Sequence, residues 1–146
     1  MPDPMPTLPA LLVALSALII FALGLLHLWI TFRGTGLQPR DAALLQALKA
    51  VSPMLTRETT MWNAWIGFNA SHSFGALLFG VIYGYLALAA PALLFSSLFL
   101  RAVGLLLLGA YAWLGKRYWF RIPFRGIVAA LLCYVLALAL AAWGQQ

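Results

Sequence analysis

MWNAWIGFNASHSFGALLFGVIYGYLAL, Met61 to Leu88, contains no Asp, Glu, Lys or Arg. An uncharged run of this length reads as a membrane-spanning helix, since about 20 apolar residues cross a bilayer. Its first half nevertheless holds Asn69, Ser71, His72 and Ser73. At about 100° per residue, Trp62, Trp65, Asn69, His72, Ser73, Ala76, Gly80, Tyr83, Gly84 and Ala87 share one face. Gly67, Ala70, Ser71, Phe74, Leu78 and Ile82 share the other. Polar groups in hydrocarbon turn toward protein or water, and small residues let helices approach closely. The Asn/His face is therefore expected to point inward, with Gly80-xxx-Gly84 at a close helix contact.

The remainder of the chain agrees with a membrane setting. Its 146 residues are 64% hydrophobic with mean hydropathy +0.97, and 8% are charged. A soluble domain carries about 25% charged residues. The net charge of +6 does not mark a nucleic-acid surface, because the basic residues flank apolar segments. The single cysteine, Cys133, lies in an apolar run, so neither an internal disulfide nor a cysteine-pair metal site is expected.

Working outward, the proline-rich residues 1–9 read as an extended tail. A first span covers about 10–32, with Ser16, Ile20, Gly24, His27 and Thr31 along one stripe that should meet the second span. RGTG (33–36) reads as a turn. Asp41 then caps an amphipathic segment over 41–52, in which Leu44, Leu45, Leu48 and Val51 line one side. Such a helix suits the headgroup plane, and an ordinary loop helix packed on the bundle is the alternative. Residues 56–59 read as a cap for the second span, about 62–88. Pro91 breaks the chain before a third span over 92–114 that contains Arg101. KRYWFRIPFR (116–125) is a basic, aromatic turn, and the fourth span covers about 126–143. One domain is expected: an all-α integral membrane bundle of four antiparallel transmembrane helices, with a short interfacial helix between the first two.

Arg33, Arg40, Lys49 and Arg57 lie between spans one and two; Lys116, Arg117, Arg121 and Arg125 lie between three and four. The positive-inside rule then places both connections in the cytoplasm and both termini outside, as a multi-pass protein of the bacterial inner membrane.

At about 1.5 Å per residue, His27 lies about 9 Å from Arg33, Asn69 about 12 Å from Met61, His72 about 16 Å from Met61 and Arg101 about 22 Å from Lys116. Together they form a polar ladder from one face past the midplane, and intramembrane ionisable groups point to function. This leads to a cavity in the cytoplasmic half that binds a lipid or small amphiphile. His27, Asn69, His72, Ser73 and Arg101 supply its polar contacts, and Trp62 and Trp65 wall its mouth. The plain alternative is that His27, Asn69 and Ser73 only hydrogen-bond between helices while Arg101 snorkels outward. Ligation of haem by the two histidines, as in an electron-transfer protein, is a further reading. Zinc lacks a carboxylate or second thiolate here, so no metal is assigned. Membrane lipids are the expected partners, nucleic acid is not, and a homo-oligomer is compatible with these features.

GFNASHSFG (67–75), preceded by HLWITF (27–32), resembles small four-span bacterial membrane proteins with a GFNxSHSxG helix. That likeness implies the fold and no activity. The layout is also similar to the MAPEG family of glutathione-using membrane enzymes, which have four spans and a basic loop after the first. Asn69 three residues before His72 resembles that family's Asn-x-x-Glu, and FRIPFRG (120–126) resembles its approach to the fourth span. Where the family has Arg and Glu, this chain has Trp65 and His72. The resemblance implies Arg57, Asn69 and Arg121 near a thiol cofactor acting on a lipophilic substrate.

The topology can be checked by labelling. Cysteines placed at Pro4 and Gln145 should react with an impermeant reagent on spheroplasts, and one at Gln46 should not. Labelling at Gln46 would overturn the assigned orientation.

Overall fold

In a computed structural model the chain is described from residue 7 to residue 144. The N-terminal tail, apart from its last residues, and the labelling sites at Pro4 and Gln145 lie outside the described residues. Within them the protein is all-helical. The elements are α1 (Leu8–Arg33), α2 (Ala42–Ala50), α3 (Met61–Ala89), α4 (Pro91–Ser96), α5 (Leu98–Tyr118) and α6 (Arg121–Trp143). Four of them, α1, α3, α5 and α6, are long and apolar enough to cross a membrane, so the chain is a multi-pass membrane protein.

The helices form two compact units. One takes the described residues up to Leu23 with those from Ala76 onward; the other is Gly24–Gly75. In the first, apolar positions recur at three- and four-residue steps and face a common core. Val13, Ala17 and Ile20 of α1 meet Ala76, Phe79, Tyr83 and Ala87 of α3 there, together with Leu108 of α5 and Ile127, Ala130, Tyr134 and Ala137 of α6. Two tyrosines bind its upper end. The Tyr83 hydroxyl donates to the Leu100 carbonyl at 2.7 Å, and the fully buried Tyr134 donates to the Arg101 carbonyl at 3.2 Å. Gly104 lies under both rings: a Cβ there would come within 2.6 Å of Tyr134 Cζ and 2.8 Å of Tyr83 Cε1.

The expected third span is divided. Ala90 leaves the helical region, Pro91 starts the six-residue α4, and Ser97 is extended with its side chain accepting from the Leu100 amide at 3.3 Å. A serine oxygen that caps one helix ends the one before it. The span proper is therefore Leu98–Tyr118 rather than 92–114, and Arg101 falls in its opening turn. The basic connection is also shorter than expected. Lys116 and Arg117 close the last turn of α5, where the helix dipole favours cations, and only Trp119 and Phe120 separate α5 from α6. Pro123 sits in the first turn of α6, where its missing N–H leaves no helical bond unmade.

The Gly24–Gly75 unit contains the last turns of α1, all of α2 and the first half of α3. Asp41 caps α2 as expected, accepting from Ala43 N at 2.8 Å and Leu44 N at 3.3 Å. No residue of α2 is buried. The cap of α3 is Thr60, whose hydroxyl accepts from Asn63 N at 3.2 Å. Thr56 serves Glu58 within the loop instead. Of the stripe on α1, Ser16, Ile20, Gly24 and Thr31 are buried and His27 is half-buried.

Of the two glycines expected at a close contact, only Gly80 is in one. A Cβ at Gly80 would approach Phe21 Cβ to 2.5 Å, whereas one at Gly84 would meet only Ala17 Cβ, at 3.8 Å. Gly84 instead opens onto a surface groove of about 420 Å³ with Leu15, Leu18 and Leu88. Gly80→Leu should therefore lower stability by about 1–3 kcal/mol through overpacking. Gly84→Leu, and Leu78→Phe on the exposed side, should stay within about 0.5 kcal/mol of the parent in chemical unfolding. Equal loss for Gly80→Leu and Gly84→Leu would refute this assignment of the contact.

Candidate functional site

All but one of the residues expected to bind ligand fall in the Gly24–Gly75 unit. His27 and Asn69 meet across it, His27 Nε2 lying 3.0 Å from Asn69 Oδ1. The other end of the same amide donates from Nδ2 to the Trp65 carbonyl at 2.8 Å. Both polar atoms of Asn69 are thus engaged, one between helices and one along α3. Thr31 Oγ1 donates to the His27 carbonyl at 2.7 Å, and Ser73, fully buried, donates from Oγ to the Asn69 carbonyl at 2.9 Å. Such back-bonding satisfies a hydroxyl inside a helix without a separate partner. His72 lies edge-on to His27, with ring centroids 5.5 Å apart and planes at 87°.

Trp65 connects this cluster to a surface groove within the unit. Its carbonyl receives Asn69, and its indole Nε1 donates to the Leu37 carbonyl at 3.3 Å. Beside that bond runs an open groove of about 430 Å³ lined by residues 36–39, Leu48, Trp62 and Trp65. The spacing of Trp62 and Trp65, three apart on α3, puts both rings on one side. Lys49, at the end of α2, holds its ammonium 6.0 Å from the Trp62 ring centroid, a cation–π distance. The groove is therefore an apolar trough with indole walls and one cation near its rim.

Arg101 does not belong to this unit. It lies at the start of α5, with Nε buried and without a hydrogen-bond partner among the described residues. Arg57 is exposed in the loop before α3, and Arg121 opens α6 in the other unit. The residues that sequence reasoning missed are Leu37, Pro39, Leu48 and Lys49. The turn residues ahead of Pro39 mark a loop, but a backbone carbonyl that receives an indole leaves no trace in residue identity.

Comparison with protein-family models, curated proteins and solved structures finds no match to this chain.

The His27–Asn69 bond can be weighed by a double-mutant cycle. His27→Phe, Asn69→Leu and their combination should show a coupling of about 0.6 kcal/mol, at most ~1.7, the range for hydrogen bonds between membrane helices. Additive losses would mean that the two side chains do not stabilise one another.

Proposed function

We propose that the Gly24–Gly75 unit binds a lipid or small amphiphile, in a protein of the bacterial inner membrane whose termini both face outward. The observation that carries this is the groove at Trp62 and Trp65. Ligand sites are predominantly apolar concavities of about 300–1,000 Å³ with a few fixed polar groups, and the groove meets that description. Its walls lie between a spanning helix and a helix with no buried residue, where an amphiphile from the leaflet arrives by lateral diffusion.

In this arrangement the indoles touch the ligand and the polar cluster serves them from behind. Asn69 receives its orientation from His27 and passes it to the Trp65 turn; the Trp65–Leu37 bond then fixes the loop that forms the opposite wall. His72 and Ser73 complete the packing around Asn69. An apolar chain lies along Leu37, Pro39, Leu48 and the two rings.

Thermal unfolding in dodecyl maltoside tests the proposal. Added lysophosphatidylcholine should raise the Tm of the parent by several degrees, as expected for a ligand well above its Kd. Trp62→Ala and Leu48→Ala should lose most of that shift. An equal shift in parent and variants would place the amphiphile elsewhere and overturn the proposal.

A further inference from the structure

We infer that the occupant of this groove is an anionic phospholipid, with its phosphate seated by Lys49. This rests on the groove reading above and adds the headgroup. Lys49 is exposed in the last turn of α2, and its neighbour Leu48 lines the groove. Its ammonium stands 6.0 Å from the Trp62 ring, the same ring that walls the trough. The cation is thus held beside the apolar wall.

The charge around it favours an anion. Residues 24–75 contain Arg33, Arg40, Lys49 and Arg57 against Asp41 and Glu58. Asp41 is turned into the first turn of α2, where it caps Ala43 and Leu44, so one of the two carboxylates is already spent on the backbone.

An independent feature places this cation at a bilayer rather than in water. Leu44 and Val51 are half exposed, and Met54 and Leu55, just beyond α2, are 106% and 94% exposed. Exposed apolar groups of this size next to a helix that ends in a lysine are what a monolayer accepts: side chains among acyl chains, ammonium among phosphates. A soluble anion would meet the ammonium but would leave the trough and these side chains uncovered.

Native mass spectrometry on the full chain in dodecyl maltoside separates the outcomes. The probes are phosphatidylglycerol and phosphatidylcholine of identical short chains. The parent should retain phosphatidylglycerol about five-fold more tightly, the factor that one surface lysine supplies, and the preference should shrink with added salt. Lys49→Gln should bring phosphatidylglycerol to the phosphatidylcholine level, Lys49→Arg should keep the preference, and Arg117→Gln, an exposed cation of the other unit, should not affect it. Equal retention of both lipids by the parent, still sensitive to Trp62→Ala, would overturn the anionic headgroup and leave the groove standing. Retention insensitive to Trp62→Ala would overturn the groove as well. A preference that survives Lys49→Gln, or that falls equally with Arg117→Gln, would overturn the seat at Lys49.

Discussion

Lipid tails are as apolar as leucine, so a helix in a bilayer gains little by burying leucine against another helix. What holds membrane helices together is close approach and hydrogen bonding. Both appear here in concentrated form. In one unit Gly104 admits the Tyr83 and Tyr134 rings, and their hydroxyls reach the Leu100 and Arg101 carbonyls. In the other, a single amide, Asn69, takes His27 on one end and the Trp65 carbonyl on the other. The large aliphatic and aromatic side chains are mostly turned outward: Trp29, Phe68, Leu78 and Leu106 are all exposed.

This division decides what each polar residue can do. A group whose donors and acceptors are already paired within the protein is a poor first contact for a ligand, since binding must break what it replaces. Asn69 and Ser73 are in that position. The indole faces of Trp62 and Trp65 line open space, while the Trp65 N–H is itself paired with the Leu37 carbonyl. The groove and the polar cluster are therefore successive layers of one construction, with Trp65 belonging to both.

The four spans were legible because hydropathy and charge are properties of composition, and a bilayer enforces them over about 20 residues at a time. The inward stripe on the first span and the Asn/His face were legible for the same reason, through helical periodicity. The break at Ser97 was not. It rests on one side-chain oxygen turning back to the Leu100 amide inside an otherwise apolar run. The cap at Thr60, rather than within 56–59, turned on a similar local choice among hydroxyls. Gly80 and Gly84 look alike in sequence and differ only in what lies opposite. The groove was half visible: its tryptophans showed, but the wall made by residues 36–39 depends on a backbone carbonyl that every residue carries. Arg101 falls in the opening turn of its helix because the Ser97 cap starts that helix later than hydropathy suggests.

The notch at Gly104 has a bearing on how the protein is made. A ribosome delivers the chain from its N-terminus, so α5 reaches the bilayer before α6. Until α6 follows, Gly104 has Tyr83 above it but no Tyr134, and the Arg101 carbonyl has no phenol to receive. The later helix thus brings the ring that fills the space left by a missing side chain. Closure of this packing therefore waits on α6, without which the notch at Gly104 stays unfilled.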